Sequence, residues 1–228
     1  MTVKVDMKAL LEAGAHFGHK TSRWHPKMAP YIHSRRNGAH IINLEKTCEG
    51  FEAALPKITE IAKSGKKILF VDTQKQSKEL VKAAAESVNM PYVTERWVGG
   101  TLTNVETVNR QIKKLKDLER RMESGELANR YNKLEVQRFQ EEIDLLNTRY
   151  GGIKEMAEQP AALIVLDAVQ DKNAIKEAKT LNIPVIAICD TNVDPTGIDY
   201  VIPGNDNSVK ALELYLSYFT EAIKSAKK

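Results

Sequence analysis

The chain has 228 residues, a hydrophobic content of 42% and a formal net charge of +4 at pH 7, values that are ordinary for a globular domain with one substantial core. Two cysteines exclude a disulfide framework, and no run approaches the ~20 apolar residues of a membrane span. We therefore expect a cytoplasmic protein that is neither secreted nor inserted in a membrane.

The first distinctive feature is a basic segment, residues 13–44, which contains no acidic residue and carries five cations. Three aromatic rings lie among these charges, and this combination suits the phosphates and unstacked bases of looped RNA. Glycines and prolines within the segment favour an exposed loop. We predict that it binds RNA, and the candidate residues are Phe17, His19, Lys20, Arg23, Trp24, Lys27, Tyr31, Arg35 and Arg36. The alternative is a basic surface loop whose Trp24 and Tyr31 pack on the domain.

All five histidines of the chain fall in the basic segment, at positions 16, 19, 25, 33 and 40. Such a cluster suggests a zinc site. However, no cysteine pair or carboxylate of recognisable spacing completes a four-ligand set, so we predict no metal and no other cofactor. Neutral histidines that stack on RNA or hydrogen-bond to it explain the cluster equally well.

Short runs rich in β-branched residues alternate with helical patterns along the rest of the chain. The predicted strands are residues 68–71, 92–94, 163–166, 185–188 and 200–202. The predicted helices are residues 45–63, 76–88, 173–181 and 208–226, the last with Ser208 as its N-cap. This alternation predicts βαβ units and a parallel sheet.

A glycine pair, Gly99-Gly100, follows the strand at 92–94 and leads into the next helix. Free N–H groups at such a helix start favour an anion, for example an RNA phosphate. The nearby candidates for RNA contact are Arg96, Trp97, Thr101 and Asn104. The alternative is a tight turn in which Thr103 or Asn104 is the N-cap.

Residues 103–150 interrupt the alternation, because they contain no strand pattern and are charged throughout. Apolar residues recur there at spacings of mostly three and four, which predicts two helices with one narrow apolar seam each. A break at Ser124-Gly125 favours an inserted antiparallel helical hairpin, or coiled coil, that projects from the domain formed by residues 1–102 and 151–228. Its mixed charges fit either a solvated arm or contact with a partner. Arg110, Lys113 and Lys114 are added to the candidate RNA contacts.

Enzyme signatures are weak. Gly65-Lys66 is not a P-loop, because Glu60 occupies the position of the leading glycine and Lys67 that of the Ser or Thr. Asp72 and Asp190 follow predicted strands, where α/β enzymes place catalytic groups, but no paired base and nucleophile accompanies them. The alternative function is a nucleotide- or phosphometabolite-binding enzyme that uses Asp72, Asp190 and the Gly99-Gly100 loop. We predict no catalytic residues and no small-molecule substrate.

Several long motifs together resemble the bacterial-type ribosomal protein S2 family, in the family's order and nearly end to end. They are AHFGH at 15–19, RWHPKMAPYI at 23–32, RNG at 36–38, ILFVDT at 68–73, RWVGGTLTN at 96–104, GGIK at 151–154, DTN at 190–192, DP at 194–195 and IDYVIPGND at 198–206. His25 stands where the family often has Asn, and Ser34-Arg35 also varies from its usual residues, so contacts there are less closely implied.

The resemblance implies a flavodoxin-like, doubly wound parallel sheet of about five strands with an inserted helical hairpin. It also implies a structural constituent of the small ribosomal subunit that binds ribosomal RNA and neighbouring ribosomal proteins. Among those neighbours would be the large multi-OB-domain protein that captures messenger RNA, whose docking the family supports. At positions that match the motifs, the implied RNA contacts are Lys20, Arg23, Trp24, Lys27, Arg35, Arg36, Arg96 and Asn104.

Overall fold

A computed structural model describes residues 3–156 and 158–226. The strands are β1 Phe17–Lys20, β2 Ile32–Arg36, β3 Ala39–Ile42, β4 Ile68–Val71, β5 Tyr92–Val93, β6 Ala162–Val165, β7 Val185–Cys189 and β8 Tyr200–Pro203. The α-helices are α1 Met7–Glu12, α2 Leu44–Lys63, α3 Lys78–Ser87, α4 Val105–Glu123, α5 Glu126–Arg130, α6 Lys133–Tyr150, α7 Lys172–Thr180 and α8 Val209–Ala226. None of these helices has both the length and the apolar character that crossing a bilayer requires.

Five parallel strands form the larger sheet, in the order β5-β4-β6-β7-β8. The chain moves from β4 to β5 in one direction and then from β6 to β8 in the other, which is the doubly wound, flavodoxin-like arrangement. The predicted fold class is confirmed. All five predicted strands are present, with ends that differ from the prediction by no more than one residue.

Both faces of this sheet are buried, so successive residues of a strand enter different cores. In β4, Ile68 and Phe70 pack with α1, α2, α3 and α8, whereas Leu69 and Val71 pack with α7 and the inserted helices. A central parallel strand must be apolar on both faces, which explains the unbroken apolar runs in the sequence. Burial of this layer makes the sheet a rigid platform for the loops at its edges.

The insertion contains the two predicted long helices, α4 and α6, and their buried side chains form the predicted seam. Asn104 caps α4, and an Asn132–Glu135 capping box starts α6. Two details differ from the sequence interpretation. A short helix, α5, follows the break and buries Leu127 completely. The seam also continues into the core beneath the sheet, because the two sets of apolar side chains form one cluster.

The basic segment is more ordered than the predicted loop. It forms a three-stranded antiparallel sheet in the order β1-β3-β2, with 3-10 turns at Thr21–Arg23 and Pro26–Tyr31. Asn37 and Gly38, both at positive φ, make the tight turn between β2 and β3. The loop interpretation was wrong because cross-strand pairing depends on long-range partners that glycine and proline content does not reveal.

Gly152 marks close packing where the insertion returns to the domain. A Cβ there would lie 2.2 Å from the Tyr92 carbonyl oxygen, a backbone atom that cannot give way locally. We expect Gly152→Ala to lower the free energy of unfolding by roughly 1–3 kcal/mol. Gly99→Ala, whose Cβ would meet nothing within 4 Å, is the control and should change it by less than about 0.5 kcal/mol. Urea denaturation measures both, and equal effects would contradict this account.

Candidate nucleic-acid interface

The basic segment is fixed to the carboxyl end of β7. The backbone N–H of His19 donates to Asp190 Oδ1 (3.1 Å) and to Thr191 Oγ1 (3.0 Å), and the N–H of His25 donates to the Thr191 carbonyl (2.7 Å). Gly18 permits this approach, since a Cβ there would lie 2.7 Å from Thr191 Cγ2. The cations are therefore presented from a rigid edge of the sheet.

Four cations of the basic segment are exposed and form no ion pair with any other described residue: Lys20, Arg23, Arg35 and Arg36. Arg35 and Arg36 end β2, directly before the Asn37-Gly38 turn, so they lie near the tip of a two-stranded hairpin. Uncompensated charge at a protruding tip suits contact with a polyanion.

Lys27 has an internal partner that the sequence interpretation missed. Its Nζ lies 3.1 Å from Asp194 Oδ1 and 2.5 Å from Thr196 Oγ1. Hydrogen bonds from Thr196 and then from Lys27 lower the pKa of the Asp194 carboxyl. Because the acid lies more than 160 residues along the chain, no local pattern could reveal this ion pair. Lys27 is therefore a weaker candidate for a phosphate contact than the four unpaired cations.

The three aromatic rings of the segment differ in accessibility. Phe17 is 54% exposed and is free to meet a partner. Trp24 and Tyr31 are half-buried: the Trp24 ring lies 5.3 Å from that of His40, and Tyr31 packs against the core that contains Leu69 and Val71. For these two residues the structure agrees with the alternative of packing on the domain, with part of each ring left accessible.

His19 meets two aspartates from the other end of the chain. Its Nδ1 lies 2.8 Å from Asp190 Oδ2, and that contact raises the pKa of His19. Burial, followed by the charge of Asp190, raises the pKa of Asp206. One donor atom from each of the three residues lies within 4.8 Å of the other two. An imidazole and two carboxylates are a donor set that a divalent metal such as zinc accepts. The sequence did not reveal these two carboxylates beside a histidine, because they approach it only in the fold, and the three donors are one fewer than the four-ligand set on which the prediction of no metal was based.

The Gly99-Gly100 loop binds an anion, but that anion is internal. The N–H groups of Gly100 and Leu102 donate to the Glu177 carboxylate, at 2.8 and 3.0 Å. The Trp97 indole N–H also donates to it, at 3.0 Å. An external phosphate is therefore excluded from this position. Trp97 is 8% exposed and Thr101 is 4% exposed. The prediction that these two side chains contact RNA is therefore not supported, because both are buried.

Five further candidates lie in the loop before α4 or in the first half of this helix. Arg96, Arg110 and Lys113 are exposed and form no ion pair with the described part of the chain. Lys114 is exposed as well, but it forms an ion pair with Glu142 of α6. Asn104 is the N-cap of α4 and accepts a hydrogen bond from the Thr107 N–H, which matches the turn alternative considered for this loop.

Comparison with known proteins decides the family. The profile of the family described as "Ribosomal protein S2" matches residues 10–226. The curated "Small ribosomal subunit protein uS2" of Pasteurella multocida is 48% identical over 224 residues, covering 98% of this chain and 93% of that protein. The chain belongs to the ribosomal protein S2 family.

Two further relatives named uS2 have similar sequence identity to this chain. That of Christiangramia forsetii is 46% identical over 225 residues, covering 98% of this chain and 74% of the relative. That of Oleidesulfovibrio alaskensis is 45% identical over 218 residues, covering 96% and 84%. Membership in the S2 family makes this chain a structural ribosomal protein and not an enzyme, as predicted.

The geometry agrees with the absence of catalysis. Asp72 follows β4 and Asp190 follows β7, two strands that are separated by β6. A cavity of about 390 Å³ is lined by Asp190, His19 and Arg23 but by neither Asp72 nor the Gly99-Gly100 loop. The three features of the enzyme alternative therefore do not form one pocket in this member of the S2 family.

Asp72, directly after β4, allows a test of whether a buried carboxylate makes the stability of the protein depend on pH. Burial raises the pKa of Asp72 to about 6, and one carboxylate oxygen has no hydrogen-bond partner within the described structure. Because the folded pKa lies above the unfolded one, the stabilisation is complete below about pH 4 and is lost as the pH rises through 6. Between pH 4.5 and 7.5, the free energy of unfolding of Asp72→Asn should therefore fall by on the order of 2 kcal/mol less than that of the parent.

Thermal or urea unfolding at several pH values measures this difference. The control is Glu79→Gln, which neutralises an exposed carboxylate of α3 and should leave the profile parallel to that of the parent. Parallel profiles for Asp72→Asn and the parent would show that no charge is buried at this position.

Proposed function

We propose that this protein is a component of the small ribosomal subunit in the cytoplasm and that its basic segment binds ribosomal RNA. The observation that carries the proposal is the set of four exposed, unpaired cations on a segment without any acid. Membership in the S2 family and the name of the three relatives support it. The role is positional: the cations neutralise phosphates and release counterions, while the parallel sheet holds them in place.

The turn between β2 and β3 is the part of this surface best suited to a groove or a bend of RNA. Arg35 and Arg36 are adjacent in sequence and therefore point to opposite faces of the strand. Two phosphates on either side of an inserted hairpin would then be neutralised at once. The guanidinium groups also present planar forks that match phosphate geometry.

We propose a second RNA contact at the loop before α4 and the first half of this helix, where Arg96, Arg110 and Lys113 remain unpaired. Farther along the insertion, Lys114, Lys116 and Arg121 are neutralised by Glu142, Glu155 and Glu126. Lys133 and Arg138 in the first half of α6 are also exposed and form no ion pair with a described residue, so the first half of α4 is one of the parts of the insertion that carry free positive charge. A contact there would add to the one made by the basic segment.

We further propose that an apolar surface at the carboxyl end of α1 binds a neighbouring ribosomal protein. Met7 and Leu11 lie one turn apart on α1, and Phe17 and Val209 flank the end of the helix; each is more than 40% exposed. Ser208 Oγ donates to the Ala13 carbonyl, which brings the start of α8 to this point. The resemblance favours the large multi-OB-domain protein that captures messenger RNA as one occupant. An exposed patch of this kind is typical of protein contacts.

Replacing both Arg35 and Arg36 with Ala tests the RNA contact. We expect weaker binding to small-subunit ribosomal RNA and a slope of log K against log salt that is flatter by about 1.4 to 1.8, since each phosphate contributes roughly 0.7 to 0.9. Filter binding at a series of salt concentrations measures the slope. The control is Lys63→Ala with Lys66→Ala: these exposed lysines, the last residue of α2 and a residue just before β4, lie toward the amino end of β4. An unchanged slope in the arginine variant would rule out phosphate contact by this pair.

The apolar surface is tested by Leu11→Ser combined with Val209→Ser. This variant should reduce co-sedimentation of small-subunit proteins with the chain while the salt slope of RNA binding stays unchanged, because no charge is removed. Leu145→Ser alters an exposed leucine on α6 and is the control. Full retention of the protein neighbours by the double variant would refute the proposal that this surface binds a protein. If Phe17→Ala alone lowers the affinity for RNA, the Phe17 ring contacts RNA instead.

A further inference from the structure

One carboxylate gathers five hydrogen bonds from a single loop. Glu177 Oε1 accepts from the Trp97 indole N–H and the Gly100 N–H, at 3.0 and 2.8 Å. Its Oε2 accepts from the Leu102 N–H at 3.0 Å, and from the Thr103 N–H and hydroxyl at 3.2 Å. Burial alone would raise the pKa of Glu177, and these donors reverse that effect, so the pKa is lowered.

The two ends of this contact belong to different parts of the molecule. Glu177 lies on α7, whose Ala174, Ile175 and Ala178 are buried against the sheet. The donors lie in residues 97–103, which run directly into Asn104, the N-cap of α4. The carboxylate therefore connects a helix of the rigid domain to the first attachment of the insertion.

Other polar contacts of the insertion join different parts of the chain. Glu119 accepts from Lys154 and from Asn147, and Lys116 pairs with Glu155, so these contacts join α4 to α6 and to the chain that follows it. They hold the inserted helices to each other and to their exit. Each is a side-chain pair with one or two bonds, whereas the Glu177 carboxylate fixes three backbone N–H groups of the entry loop.

We propose that Glu177 is a positioning residue that sets the orientation of the inserted helices on the α/β domain. Backbone N–H groups that donate to a carboxylate cannot shift without losing several charge-assisted bonds together. The carboxylate thus makes the entry of α4 stiff, although the loop itself contains two adjacent glycines. Without it, both parts stay folded and the angle between them varies.

The first test observes the loop by NMR. The protein has two tryptophans, so the Trp97 indole N–H gives one of two indole signals, assigned by Trp97→Phe. In Glu177→Ala, the Gly100, Leu102 and Thr103 amides should exchange with solvent about tenfold faster or more. Glu177→Gln retains only one acceptor oxygen, so either the Trp97 and Gly100 pair or the Leu102 and Thr103 pair should lose protection, but not both. Lys176→Ala, an exposed neighbour on α7, is the control and should leave all these signals unchanged.

The second test measures the orientation itself. Spin labels at Lys82→Cys on α3 and Ala128→Cys on α5, in a Cys48→Ala background, report the distance from the domain to the insertion by pulsed electron resonance. Glu177→Ala should broaden this distance distribution while circular dichroism shows the same helix content as in the control. A distribution as narrow as the parent's would overturn the proposal. If Glu177→Ala does not fold, Glu177→Gln is measured in its place, and an unchanged width in that variant overturns the proposal equally.

Discussion

Two carboxylates that accept backbone hydrogen bonds hold the cation-bearing parts of this protein on its parallel sheet. Asp190, at the end of β7, accepts from the His19 N–H and fixes the basic segment. Glu177, on α7, accepts from the loop that enters the insertion. An ionised carboxylate forms stronger bonds to N–H groups than a neutral acceptor does, so each contact is stiff as well as specific. The positions of the free arginines and lysines depend on these two groups.

The distribution of charge separates internal pairing from surface that is available to a partner. Lys27 and Lys114 resemble their neighbours in sequence, yet each has an acid within reach in the fold. Arg35, Arg36 and Arg110 have none among the described residues. For a protein whose net charge is only +4, this local surplus is the basis on which we propose that one surface binds a polyanion.

Several buried acids lie near the carboxyl ends of the parallel strands and have raised pKa values. Asp72, Asp171 and Asp206 lie in or beside the loops that follow β4, β6 and β8, and burial raises the pKa of Asp72 to about 6 and that of Asp171 to about 7. Such shifts are also found at catalytic sites. Here the Thr73 N–H and hydroxyl donate to Asp171, and the Gln74 side chain donates to Asp167. The acids therefore join loops to one another, a structural use that agrees with a ribosomal protein.

The sequence alone was sufficient to predict the strands, the long helices and the family, and to identify the acid-free basic segment. Apolar periodicity, composition and motifs are local properties, so they can be read without the fold. The sequence did not show that residues 13–44 form a sheet, that Lys27 is paired, or that Trp97 is buried. It also did not show that Glu177 occupies the predicted anion position or that Asp190 and Asp206 meet His19. Each of these depends on partners more than 70 residues apart or on cross-strand pairing, and only the packing of helices against a common sheet brings such groups together.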